Sequence, residues 1–155
     1  MKIEHWHPQS LPPLLESISY RNLLGACRGN EGQPRRLQHC DTHKGDALLT
    51  RNPANPADNV EARVVYLGDG RISSRDAQFL IDLESVLNLN TARLVNNRKA
   101  TLDAFTQAIP RKGHLTRLKL VKWMAEWSGA ESMGDIEPYS GVVTFWLKKK
   151  LQENS

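Results

Sequence analysis

Six of the chain's eight prolines (Pro8, Pro12, Pro13, Pro34, Pro53, Pro56) fall within residues 1–60. Each fixes φ and removes a backbone donor, so no long helix and no central strand can run through that segment. It has to fold as short elements joined by turns. Both cysteines, Cys27 and Cys40, and four of the five histidines lie in the same stretch. Side chains with chemistry are therefore concentrated where core-building ones are scarce.

The remainder of the chain has the opposite character. "VEARVVYL" at 60–67, followed by "GDG" and "RIS", reads as a β-hairpin whose Gly-Asp-Gly turn tolerates positive φ. Ser73 with Asp76 resembles a capping pair, and Phe79, Leu80, Leu83, Val86 and Leu87 recur at the spacing of one apolar helix stripe. A second helix is expected from Thr91 to Ile109 with Leu94, Leu102, Phe105 and Ile109 inward, ended by Pro110. A third, near His114 to Trp127, buries Leu120, Trp123, Met124 and Trp127 before Gly129. A fourth follows Pro138, with Val142, Val143, Trp146 and Leu147 inward and Lys148, Lys149 and Lys150 at its C-terminal end, where cations favour the helix dipole. The expected class is α+β: a small region over 1–60, then the hairpin and a helical half over 61–155, forming one compact unit.

At 155 residues the chain supports one core of ordinary size. Its net charge of +4 suits a phosphate-rich partner without requiring one. No run of about 18 apolar residues is present to cross a bilayer, and the first residues are polar and proline-broken, unlike a signal peptide. A cytoplasmic protein with no membrane partner is expected. Its cysteines then stay reduced, for metal ligation or plain burial rather than a disulfide.

Three blocks carry the chemistry: IEHWHPQS (3–10), NLLGAC (22–27) and HCDTHKG (39–45). Their order is acidic-His, then Asn-Leu ahead of a Cys, then Cys-Asp-x-x-Lys. This resembles the HNH (ββα-metal) nucleases. With NPANP (52–56), LNLNTARLVNNR (87–98) and PYSGVVTFWLKK (138–149), the pattern is most similar to the HNH endonuclease family associated with retron and Septu anti-phage defence systems. The resemblance spans nearly the whole chain. It implies a metal-dependent endonuclease acting on DNA or RNA beside an ABC-type ATPase of the same system, with an HNH region at the N-terminus.

Phosphodiester hydrolysis explains the residue types. Water has to lose a proton near neutral pH, a task matched to an imidazole with a pKa of about 6.5, and the resemblance gives that role to His5. Developing charge on the phosphate is stabilised by a divalent cation, Mg²⁺ or Mn²⁺, on hard oxygen ligands. Glu4 and Asp41 are the expected ligands; Asp41 is also placed to cap a helix, a role compatible with metal binding, and His43 is the substitute ligand if capping is the only role of Asp41. Adjacent strand residues point to opposite faces, so Glu4 and His5 divide the labour if the segment bulges or if base and metal sit on different sides. Asn22 is expected to hold the loop carrying His5, and Lys44 to reach a phosphate from the helix beginning near Asp41. His7, Arg35 and Arg36 are candidate substrate contacts, and the basic residues Arg111, Lys112, Arg117, Lys119 and Lys122 form a second charged stretch.

Related HNH proteins carry an upstream Cys-x-x-Cys that completes a four-thiolate zinc site. Here Met1 stands three residues before Glu4, so either His39 or another group joins Cys27 and Cys40 to hold Zn²⁺, or the two cysteines are simply buried, or the sequence begins downstream of the pair that would complete the site. A terminal apolar face with Val142, Val143, Phe145 and Trp146 is the expected docking surface for the ATPase, unless Phe145 and Trp146 pack within the protein itself. The alternative functions are a catalytically degenerate HNH-like module that binds nucleic acid or bridges it to the ATPase, and a structural subunit that orders on assembly.

Overall fold

A computed structural model of the chain describes residues 1–12, 15, 18–109, 115–129 and 136–153. Within them the protein is α+β, with six helices and two small two-stranded sheets. It divides into two compact units: residues 1–65 with 72–92, and residues 66–71 with 93–155. Residues 72–92, which periodicity alone assigns to the helical half, thus belong with the first unit. No helix among the described residues is long and apolar enough to cross a membrane.

The first unit opens with strands β1 (Lys2–His5) and β2 (Leu23–Ala26), paired antiparallel in the register Lys2↔Ala26, Ile3↔Gly25, Glu4↔Leu24 and His5↔Leu23. A one-turn 3-10 segment (Arg35–Leu37) leads to the short helix α1 (Cys40–Lys44). The run expected as a strand over 60–67 differs. Val60–Arg63 is a single helical turn, α2, and only Val65–Tyr66 is extended, as β3. Short apolar runs do not distinguish the two states, and here Arg63 Nε donates to the Asp58 carbonyl at 2.8 Å, favouring the turn. The Gly-Asp-Gly hairpin itself forms, pairing β3 with β4 (Ile72–Ser73).

Helix α3 (Ala77–Ile81) starts at Asp76 rather than Ser73, because Ser73 is held in β4. The Asp76 carboxylate accepts from Phe79 N at 3.2 Å and the Ser74 hydroxyl accepts from Asp76 N at 3.1 Å. Regular helix ends at Ile81, and Asp82–Val86 widen into a π turn closed by Leu87 N donating to the Asp82 carbonyl at 2.8 Å. Buried Asp82 is anchored sideways by Thr50, whose amide donates to it at 2.7 Å and whose hydroxyl also bonds it. That lateral tie accounts for the departure from the expected α period.

The second unit contains α4 (Ala92–Ala108, its first residue at the boundary), α5 (Arg117–Ser128) and α6 (Ser140–Glu153). Pro110, Arg111, Lys112 and His114, which entered the expectations for this region, lie outside the described residues. Thr116 caps α5 through Lys119 N, and Gly129 closes it in the left-handed conformation at φ 74°. Phe105, Leu120, Val142, Val143 and Leu147 form a buried core. Around Phe105 the rings of Trp123, Trp127 and Trp146 stand edge-on at 5.7, 5.4 and 5.8 Å, the arrangement that aromatic quadrupoles favour. Phe145 packs on Tyr66 at 5.6 Å. Phe145 and Trp146 thus both make ring contacts within this unit, and both stay half-buried.

Candidate functional site

Burial in the first sixty residues is polar. Pro8 apart, none of their described aliphatic or aromatic side chains is fully buried, whereas Asn22, His39 and Lys44 are. The apolar burial of their unit comes from Ile72, Phe79 and Leu83, while the buried positions within residues 1–60 are held by hydrogen bonds. Each of the three buried side chains sits at a point where two distant pieces of chain meet.

Asn22 joins the approach to β2 to the end of β1. Its side-chain oxygen accepts from His7 N at 2.6 Å, its amide donates to the His7 carbonyl at 3.0 Å, and its backbone carbonyl accepts from Trp6 N at 2.9 Å. The turn immediately after His5 is thereby fixed from both sides. Lys44 holds the other flank. It is only 6 % exposed, and its ammonium donates to the carbonyls of His5 and Gly45, each at 3.3 Å. This corrects the expected phosphate contact: Lys44 points inward to backbone. Burial lowers its pKa, with nearby Asp41, Asp46 and Glu4 opposing the shift.

Glu4 and Asp41, from β1 and α1, converge on one cation. Lys2 Nζ lies 2.8 Å from Glu4 Oε1 and 3.3 Å from Asp41 Oδ2. Lys2 and Glu4 share a strand face by their two-residue spacing, and the α1 first turn delivers Asp41 to it. The expected capping role of Asp41 is corrected as well, since His39 occupies the N-cap position and Asp41 sits one residue inside the helix. Burial raises the Asp41 pKa, offset by the hydrogen bond from Lys2 and reinforced by the negative charge of Glu4. The Lys2 ammonium is shifted upward, chiefly by its hydrogen bond to Glu4.

His5 pairs with Leu23 and Glu4 with Leu24 in an unbulged register, so the His5 side chain leaves the strand on the face opposite Glu4. Ile3, on the same face as His5, is 70 % exposed. Of the two arrangements the sequence allows, the structure has the His5 side chain and the Glu4 carboxylate on different sides of the strand. His43 is directed elsewhere: its Nδ1 lies 2.9 Å from the Val86 carbonyl, at the π turn. Glu4 and Asp41 are a pair of donors, and His43 does not complete a set of three with them. Arg35 donates to the His43 carbonyl at 3.3 Å, tying an exposed guanidinium to the end of α1, and Arg36 is exposed beside it. His7 is half-buried with its backbone clamped by Asn22.

Among the described residues, one set of three metal-ligating side chains does converge: Cys27, His39 and Cys40, whose donor atoms lie within 4.8 Å of one another. His39 Nδ1 is 3.7 Å from Cys27 Sγ and 3.2 Å from Cys40 Sγ. Neither cysteine is in a disulfide. Local backbone makes the set. The loop after Cys27 abuts the α1 approach through His39 N donating to the Gly29 carbonyl at 3.0 Å and Thr42 Oγ1 donating to the Arg28 carbonyl at 2.9 Å. Cys40 adopts the left-handed region at φ 53°, a conformation costing about 1–3 kcal/mol for a residue other than glycine. It is sustained from the π turn: Cys40 N donates to the Leu87 carbonyl and Asn88 Nδ2 to the Gln38 carbonyl, each at 2.8 Å. Two thiols and an imidazole are a soft donor set suited to zinc, with one coordination position left for a further group.

Sequence reasoning missed Lys2 and Gly29. The first was legible in "KIE" as a lysine two residues from Glu4 on a strand; nothing in the sequence ties Gly29 to His39. No protein-family model, curated protein or solved structure matches the chain.

Proposed function

We propose that this chain is a metal-dependent HNH-type endonuclease that hydrolyses nucleic-acid phosphodiester bonds, acting as the effector of a bacterial anti-phage defence system with an ABC-type ATPase partner. The observation that carries the reading is the meeting of Glu4 and Asp41 at a single cation position beside a strand end whose backbone is held by Asn22 and Lys44. The order strand, strand, short helix in residues 2–44 is compatible with a ββα-metal unit. The resemblance of the three sequence blocks to the defence-associated family adds the biological context.

In this reading Glu4 and Asp41 hold Mg²⁺ or Mn²⁺, which when bound stabilises the charge that develops on the phosphate. His5 takes the proton from the attacking water. Asn22 and Lys44 are positioning residues: they fix the backbone on either side of the His5 side chain, so the imidazole is aimed without touching substrate through them. Cys27, His39 and Cys40 would hold a structural Zn²⁺, which would tie the loop after β2 to the start of α1. His7, Arg35 and Arg36 remain the candidate contacts to the nucleic-acid backbone.

One observation favours a second reading, a non-catalytic nucleic-acid-binding or ATPase-bridging module. The cation between the carboxylates is an ammonium of the chain itself, and His5 leaves the strand on the other face. The deciding experiment compares cleavage of plasmid DNA and of RNA with Mg²⁺ or Mn²⁺ by the wild type and His5→Ala. The nuclease reading expects metal-dependent products that fall by about 100-fold or more in the variant. Equal behaviour of the two proteins with binding retained selects the module.

A further inference from the structure

We infer that the Lys2 ammonium is a built-in competitor for the divalent cation: it occupies the position between Glu4 and Asp41 and has to leave before a metal ion binds there. The inference rests on the reading of Glu4 and Asp41 as metal ligands, and it adds a determinant of when that site loads.

Two facing carboxylates repel unless a cation lies between them, and the chain supplies one from the same strand face. With Lys2 in place the three groups sum to one negative charge. A divalent ion in its stead makes the carboxylate pair neutral, while ammonium and metal together would crowd like charges at contact distance. The two cations therefore exclude one another. Lys2 is free to give way: its side chain is 25 % exposed, and those of Glu4 and Asp41 are 27 % and 19 % exposed. Its long flexible stem carries the ammonium into water without unfolding β1, whose pairing with β2 is made by backbone. Partly solvated ion pairs are weak, so Lys2 tunes the site rather than locking it shut. The expected penalty on metal affinity is about fivefold to tenfold.

The test is Mn²⁺ binding to the full chain by titration calorimetry, with Mn²⁺-induced shifts in melting temperature as the second readout. Lys2→Met and Lys2→Gln are expected to bind Mn²⁺ about fivefold to tenfold more tightly than wild type and to gain more thermal stability from it. Lys2→Arg, which keeps a cation, is expected to stay within about twofold of wild type. Equal or weaker Mn²⁺ affinity in both neutral variants, with circular dichroism unchanged, overturns the inference. Glu4→Gln separates the two possible failures. If it abolishes Mn²⁺ binding that the Lys2 variants leave unaltered, the carboxylate reading stands and the competitor role is wrong. If it binds as wild type does, both are wrong.

Discussion

Asn22 spends both ends of its amide on one residue, His7, and is 2 % exposed. Replacing it with alanine strips partners from an amide and a carbonyl in a partly buried turn, a loss of about 1–3 kcal/mol. Urea denaturation of Asn22→Ala is expected to show that loss, and Asn22→Asp not to restore it, because a carboxylate cannot donate to the His7 carbonyl. Asp76 makes a different kind of prediction. The Arg51 guanidinium, 2.8 Å away, and the Phe79 amide hold its carboxyl below the usual range. A folded-state pKa below the unfolded value contributes stability that is present above about pH 4 and lost as the pH falls through the folded value. Asp76→Asn should therefore be less stable than wild type at neutral pH, and the gap should close in unfolding curves taken progressively below about pH 4.

At the scale of elements, the connection from β2 to α1 depends on one close approach. Gly29 has φ 56°, and a Cβ there would collide with the His39 carbonyl and press on Thr42. Gly32, three residues on, has φ 81° with nothing within 4 Å of its would-be Cβ. The two glycines separate backbone preference from space. Gly32→Ala is expected to cost about 1–2 kcal/mol, the left-handed penalty alone, whereas Gly29→Ala should cost more and also carry Cys27 away from His39 and Cys40. Thermal melts of both variants together with zinc stoichiometry check this: with the zinc site proposed above, Gly32→Ala is expected to retain the metal and Gly29→Ala to lose it.

Across the whole molecule apolar burial is uneven. Leu120, Val142, Val143 and Leu147 are at most 1 % exposed in the second unit, while the first sixty residues bury polar groups instead. The second unit and the segment of residues 1–60 should consequently answer to different perturbations. Leu120→Ala removes fully buried aliphatic atoms and is expected to cost about 2–5 kcal/mol with zinc content unchanged. A zinc chelator is expected to lower the melting temperature of wild type and to leave Cys27→Ser, already deprived of a ligand, little affected. Calorimetric melts in the presence and absence of chelator measure both effects.

Periodicity made the large helices legible. Leu94, Leu102, Phe105, Leu120, Val142 and Leu147 recur at helical spacing, and α4, α5 and α6 bury or half-bury each of them. That information is local, since a repeat of 3.6 residues selects a helix face whatever lies opposite. The same local rule put Glu4 and His5 on opposite faces of a strand. The meeting of Glu4 with Asp41 around Lys2, the inward turn of Lys44 and the gathering of Cys27, His39 and Cys40 were decided by tertiary structure. Apart from the ion pairs of Lys2, the contacts that place α1 and the loop before it end on backbone carbonyls, of Gly29, Arg28, Val86, Leu87 and His5. A carbonyl is the same chemical group at every position of a chain, so the letters of a sequence mark which residues can donate to one and not which one receives.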